Sequence, residues 1–342
     1  MATALVGLGA LPPVQARAKA LAVLAEALGV PWPRPFAAGA LRVETALGGV
    51  TGDLYASLGA DPGVVLLHGA APKGKDDPRL VRLARALARA GRTVFVPALR
   101  LADKEFTTAD IDTIVAAISE LAGHTGGRVV VLGISYGGSF GLIAAADPRV
   151  AAKVDLVATF GAYFDLLGLV QAASTGASLI GGKRLDWQPH PRAAEVLRRA
   201  ALELVEPGER AELERAFEGL AEPGELSAEA RAVYELVNND DPERTEALAA
   251  ELGPRARAML RSFSPSAVAA RLQAPVVALH STDDSVTPYA EALRLKAALP
   301  GARVVLVELF RHVDFEARSA LTAVPALFQA WRFTSWVLSA QE

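Results

Sequence analysis

Cysteine is absent from the 342 residues, so no disulfide, no thiol chemistry and no cysteine-ligated metal can form. Lysine is scarce: seven lysines stand against 28 arginines, which with abundant alanine points to a GC-rich coding sequence. A marked excess of one charge is missing too, with 35 basic residues against 38 acidic ones. The formal net charge is -3, no basic run stands out, and nucleic-acid binding has no support. The five histidines are scattered, with no H-x-x-x-H pair to anchor a zinc ion, and no metal or cofactor is expected. No apolar run reaches about 18 residues, so no membrane span is expected. The N-terminus, MATALVGLGALPPVQARAKA, lacks a basic stretch ahead of its apolar one and is broken by Pro12 and Pro13. It reads as a mature, cytoplasmic N-terminus.

The hydrophobic content of 51% suffices for one large α/β core, or a core plus a sizeable insertion. The most informative stretch is RVVVLGISYGGSFG, residues 128–141. Val129, Val130, Val131 and Leu132 read as a buried strand. The chain turns through Gly133, Ile134, Ser135, Tyr136 and Gly137, and Phe140, Leu142 and Ile143 then follow at helical spacing. This strand–turn–helix is the setting that the motif G-x-S-x-G requires. Glycines allow a strained bend and close passage of strand and helix. The serine hydroxyl would stand at the C-terminal edge of the sheet, above a helix N-terminus suited to a developing oxyanion. Alone, the motif equally fits a glycine-rich turn in another α/β protein.

Along the chain, 15–29 reads as a helix, with proline-rich PWPRP after it. Residues 41–46 and 50–56 read as a hairpin about Gly48-Gly49. Strands are expected at 63–67, 93–97 and 154–160. A helix capped by Asp77 and Pro78 and stopped by Gly91 buries Leu80, Leu83, Ala84 and Leu87. A second helix is capped by Thr108 and closed by Gly123. Alternating strand and helix from 63 to 160 predicts a doubly wound, mostly parallel sheet, with sites at the C-terminal strand ends. From 164 to 263 the texture is charged and helical, without strand patterns: helices at 191–205, 208–220, 227–237 and 242–252. This predicts a helical lid inserted after a core strand. The sheet resumes at 272–279 and 302–309, with helices at 288–299 and 325–338. The domains are then 1–40 (N-terminal helical extension), 41–163 with 264–342 (core), and 164–263 (lid).

Beyond Ser135, the next strand-end acid past the insertion lies in HSTDDSVTP, residues 280–288, and FRHVDF follows the last strand. The order serine, acid, histidine emerges, with room between Asp284 and His312 for one helix and one strand. Upstream, His68-Gly69-Ala70 follows a strand beside the serine strand and can offer an oxyanion N–H. His68 reads as a structural partner of its own loop, His124 as a helix-end cap and His190 as a loop residue. Asp314 reads as a local turn group.

At these four motifs, LLHGA, GISYGG, HSTDDSVTP and RHVDF, the chain resembles the α/β-hydrolase fold family, in particular its dienelactone-hydrolase-like and carboxylesterase branches with a helical cap. The resemblance covers about residues 45–165 and 265–335. It implies Ser135 as nucleophile, His312 as the base that takes its proton, and Asp284 holding the imidazole. The N–H groups of Ala70 and Tyr136 would form the oxyanion hole. The family pattern H-G-x-x-D-x-x-V-P is met at His280, Asp284 and Pro288, with Ser281 and Thr287 as departures, so Asp283 stays open as the acid. Asp165, after the strand at 154–160, is a second competitor. Dienelactone hydrolases carry cysteine where Ser135 stands, which favours ester chemistry. Tyr163 and Trp187 are candidates to line a substrate pocket between lid and core, or simply pack. The expected function is a serine hydrolase acting on a small-molecule ester or thioester. Thioesterase, acyltransferase and C–C hydrolase activity on the same fold are the alternatives, and a non-catalytic ligand binder is a further one. Substrate and oligomeric state are left open.

Overall fold

The run 129–132 alternates its side chains between two hydrophobic layers, as a strand covered on both faces must. Val130 and Leu132 join one cluster with Leu80, Leu87 and Trp336, whereas Val129 and Val131 join another with Ile114, Ile118 and Phe140. A computed structural model gives this arrangement and describes residues 13–29, 40–57, 62–103, 107–308, 310–311, 314–315 and 320–340, with backbone alone at 310–311, 314–315 and 320–322.

In chain order, α1 (Val14–Ala27) is followed by the hairpin β1 (Leu41–Leu47) and β2 (Val50–Ala56), then β3 (Gly63–Leu67), α2 (Pro78–Arg89), β4 (Thr93–Pro97) and α3 (Thr108–His124). Next come β5 (Val129–Ile134), α4 (Tyr136–Ala145) and β6 (Val154–Phe160). The stretch that follows holds α5 (Leu166–Thr175), β7 (Ala177–Ile180), β8 (Lys183–Asp186), α6 (Ala193–Ala201), α7 (Arg210–Phe217), α8 (Ala228–Val237), α9 (Thr245–Glu251) and α10 (Pro254–Ser262). The chain then returns through β9 (Val276–Ser281), α11 (Ala290–Ala298), β10 (Arg303–Val307), the short pair β11 (Phe310–Arg311) and β12 (Asp314–Phe315), and α12 (Ala320–Ser339).

Among the described residues the main sheet has eight strands in the order β1-β2-β4-β3-β5-β6-β9-β10. Only the β1–β2 and β2–β4 pairings are antiparallel. The doubly wound, mostly parallel sheet expected from the sequence is therefore the observed one. Helices α1, α2 and α12 cover one face, and α3, α4 and α11 the other. Strands β5, β6, β9 and β10 lie side by side, so the loops leaving their C-terminal ends gather along one edge. No helix among the described residues is long and apolar enough to cross a membrane.

Several element ends differ from expectation for local reasons. The α3 N-cap is Thr107, whose hydroxyl accepts from Ala109 N at 3.2 Å, not Thr108. Gly123 lies within α3, and the chain turns instead at Gly126 and Gly127, which both have positive φ. Pro325 sits inside α12 rather than at its start. The stretch 164–263 is not free of strands. β7 and β8 form a hairpin closed by Gly181 and Gly182, at φ 55° and 76°, the same two-glycine device as Gly48-Gly49. At four residues each, these strands are too short to carry a periodic signal.

This stretch builds a separate hydrophobic cluster around Leu213, Val233, Leu236 and Leu252. Its root is held by Glu291 of α11, fully buried, whose Oε2 accepts from Phe164 N at 3.0 Å and Asp165 N at 2.7 Å. Arg294 Nε donates to the other oxygen at 3.1 Å. Burial pushes the Glu291 carboxyl up to about 7, against the pull of Arg294 and the two N–H donors.

Two predictions follow from packing. A Cβ on Gly137 would collide with the backbone carbonyl of His68, which cannot yield as a side chain can. Gly137→Ala should cost about 3 kcal/mol, read as a lowered urea midpoint. For Glu291, the folded carboxyl keeps its proton to about 7, whereas the unfolded one releases it near 4.5. Its contribution to stability is therefore full below pH about 4.5 and lost as pH rises to about 7, on the order of 3 kcal/mol. Urea midpoints at pH 5 and pH 8 should show Glu291→Gln removing that part of the decline.

Candidate active site

Ser135 closes β5 with φ 52° and ψ -130°, alone among the described non-glycine residues in having positive φ. Its N–H donates to Phe160 O at 2.7 Å, continuing the β5–β6 ladder by one residue. Its carbonyl accepts from Gly138 N at 2.8 Å and starts α4. Strand and helix thus share one residue, and the chain reverses within it. The glycines permit this. A Cβ on Gly133 would strike the backbone of Gly138, and one on Gly138 would lie 2.9 Å from Ala162 Cβ. The Ser135 hydroxyl makes no capping bond to α4, and the residue lines a cavity while being only 5% exposed.

The loop after β3 runs alongside. A Cβ on Gly69 would come within 3.0 Å of Ser135 Cβ. Leu99 N donates to His68 Nε2 at 3.3 Å, so that nitrogen carries the lone pair. Nδ1 therefore bears the proton and donates it to Gly69 O at 2.8 Å. Burial lowers the His68 pKa, opposed by its bond to Gly69 and by Asp110, and the ring stays neutral at neutral pH. Since the Gly69–Ala70 peptide is trans, holding Gly69 O toward the imidazole turns the Ala70 N–H the other way. The same loop is tethered further on. Buried Asp53 of β2 accepts from Arg42 Nη2 at 2.6 Å and Lys75 Nζ at 3.2 Å, and Arg42 also reaches Asp76. Ala70 and Tyr136 both line the cavity onto which Ser135 opens. The Tyr136 N–H opens the first turn of α4, and burial pushes its phenol up to about 12.

Asp284 follows β9 and is 1% exposed. Its Oδ1 accepts from Val286 N at 2.8 Å and Thr287 N at 2.9 Å, while Oδ2 lies 3.6 Å from His280 Nε2. His280 in turn donates to Thr287 O at 2.9 Å, so the motif's first and fifth residues fold the loop onto itself. Asp283 is half-buried, with its N–H 3.4 Å from Ser281 Oγ. Asp165 is committed elsewhere: it caps α5 through Gly168 N at 3.0 Å, and its other oxygen accepts from Ser266 at 2.5 Å. His312 lies outside the described residues. Of Asp314, only the backbone pairing with Arg311 is described.

The two aromatic candidates do not line the cavity. Tyr163 is fully buried, its hydroxyl donating to Phe263 O at 2.8 Å and its ring set edge-on to Tyr136. Trp187 Nε1 donates to Asp284 O at 2.6 Å, and His190 N to Ser285 O at 2.7 Å. The stretch 164–263 thus meets the acid loop, but none of the described cavity-lining residues comes from it. A second cavity of about 410 Å³ does lie between that stretch and the core, among Asp165, Gln171, Thr245, Arg257, Ser266 and Arg294, but Ser135 is not among its described lining residues; the cavity that Ser135 lines is on the other face of the sheet. The cavity, about 460 Å³, runs from Ser135 between the sheet and helices α1, α2 and α12. Leu24, Leu83 and Phe333 are among its walls and were unmarked in the sequence, because an apolar helix face looks the same whether it meets core or void. His124 Nδ1 donates to Glu120 O at 2.7 Å, at the end of α3.

Among the described residues no group of three or more histidine, aspartate or glutamate side chains could hold a metal ion. No curated protein matches the sequence. Among solved structures, the chain is 17% identical to a hormone-sensitive-lipase homologue, EstE7, from a metagenome library, covering 95% of this chain and 93% of that one at a TM-score of 0.49. It is 18% identical to the meta-cleavage product hydrolase CumD of Pseudomonas fluorescens IP01, covering 88% and 98% at 0.47. With a putative lipase of Acinetobacter baumannii AYE it shares 16% identity over 95% and 99% at 0.45. The family model described as "Alpha/beta hydrolase family" matches residues 64–319, well over half of the chain, and the protein belongs to that family.

Proposed function

We propose that this hydrolase cleaves a carboxylic ester through an acyl-serine intermediate. Ser135 attacks the carbonyl carbon, His312 takes the serine proton and returns it to the departing alkoxide, and Asp284 orients the imidazole and stabilises its cation. Water then attacks the acyl-enzyme with His312 again as base, releasing the acid and restoring Ser135. The N–H groups of Ala70 and Tyr136 receive the oxyanion in both steps. The carrying observation is the backbone of Ser135. A serine at φ 52° costs about 1–3 kcal/mol, a cost met at positions where geometry serves chemistry. The neutral, Nδ1-protonated His68 that fixes the Gly69–Ala70 peptide supports the oxyanion assignment. Thioester cleavage, acyl transfer to another acceptor and C–C hydrolysis would use the same groups, and a panel of substrates separates them.

The first test is covalent. A fluorophosphonate should label the wild-type protein at Ser135, and Ser135→Ala should abolish labelling and lower kcat on an activated ester by about 10³-fold or more with the fold retained. Ester hydrolysis at the wild-type rate in that variant would sink the assignment.

The second test separates the acids. Asp284→Asn should lower kcat by about 10³ to 10⁴, since asparagine favours the wrong imidazole tautomer. Asp165→Asn keeps a capping oxygen at α5 and should leave kcat within a few-fold of wild type. A large loss at Asp165 with none at Asp284 reverses the acid assignment.

A further inference from the structure

We infer that the cavity behind Ser135 is the acyl site, and that the substrate's acid part is an unbranched aliphatic chain of medium length. This rests on the acyl-serine reading and specifies its substrate. At one end the cavity meets Ser135, Ala70 and Tyr136. From there it runs inward along Leu132, Phe160 and Leu279 of the sheet. Its opposite walls are Leu80, Leu83 and Leu87 of α2, Leu24 of α1 and Phe333 of α12. On α12 the polar side chain among the described lining residues is Thr334, whose hydroxyl donates to Ala330 O at 2.9 Å. The charged side chains among the described lining residues, Asp77 and Arg79 at the start of α2, pair with each other at 2.7 Å, and the leucine, valine and phenylalanine walls offer the surface that an alkyl chain needs.

The chemistry assigns this space to the acyl rather than the alcohol side. The alcohol leaves in the first step and must reach solvent before water can enter. The acyl chain stays covalently attached through both steps. A cavity whose inner wall is made of buried core residues, such as Val23, Leu87 and Val337, suits the part that stays. The expected specificity follows from burial. Each added methylene that is taken out of water should raise kcat/KM by up to about four-fold until the cavity is filled.

Two isomeric esters decide the question: ethyl octanoate and octyl acetate contain the same atoms with the chain on opposite sides of the ester. Ethyl octanoate should be favoured about ten-fold or more in kcat/KM, and p-nitrophenyl octanoate should exceed the acetate by about 100-fold. Leu83→Trp on α2 and Leu24→Trp on α1 place bulk into the cavity from half-buried positions on two different walls. Each variant that retains the wild-type circular dichroism spectrum should lower the octanoate-to-acetate ratio about ten-fold or more. A preference for octyl acetate, a rate that falls with acyl length, or a ratio unmoved in folded variants overturns the inference. The isomer pair, run on wild-type protein, decides even if neither variant folds. Fluorophosphonate labelling of Ser135 keeps the two readings apart: labelling with a short-chain preference defeats the acyl site alone, whereas no labelling and no ester cleavage defeats the proposed function.

Discussion

The conformation of Ser135 is the constraint on which the surroundings depend. An L-residue at φ 52° and ψ -130° persists only where its neighbours over-determine it. Here β5 fixes it from one side, through the bond from Ser135 N to Phe160 O, and α4 fixes it from the other, through the Ser135 carbonyl. The two elements approach so closely that Gly133 and Gly138 have no space for a Cβ. The β3 loop packs into the same bend, with the His68 carbonyl against Gly137 and Gly69 against Ser135. Register between β3, β5 and β6 therefore sets the geometry of the serine and of the Ala70 peptide together.

The two faces of the sheet do different work. On the face of α3, α4 and α11, the helices pack directly on the strands and hold the bend. On the face of α1, α2 and α12, apolar side chains enclose a cavity that reaches the serine. The stretch 164–263 buries its own apolar residues, so it needs few contacts with the rest. Its two ends are anchored in the core by Phe164 and by Phe263, which stacks on Phe140 of α4, and polar contacts add to these. Glu291 grips its root, and Trp187 and His190 grip the backbone of the acid loop. Asp284 is consequently positioned from both sides: by Val286 and Thr287 N–H groups within its loop, and by Trp187 from outside it.

The sequence by itself determined the sheet and the serine's setting. Strands buried on both faces are unbroken β-branched runs, helices announce their ends with residues such as Asp77 and Gly91, and Gly133, Gly137 and Gly138 mark a place where backbones nearly touch. These signals are local, each readable within a few residues of itself. The hairpin β7–β8 escaped because its strands are too short for periodicity to show. Asp165 looked like a competitor for Asp284 because both follow strands. Only the fold brings Ser266, about a hundred residues away, against one carboxylate and Trp187 against the other's loop. The cavity was equally hidden: Leu24, Leu83 and Phe333 lie on three helices far apart in the chain, and each has the pattern of an ordinary core face. Whether such a face meets another side chain or an open space depends on how distant helices are set against one sheet, and that distance is decided by tertiary packing alone.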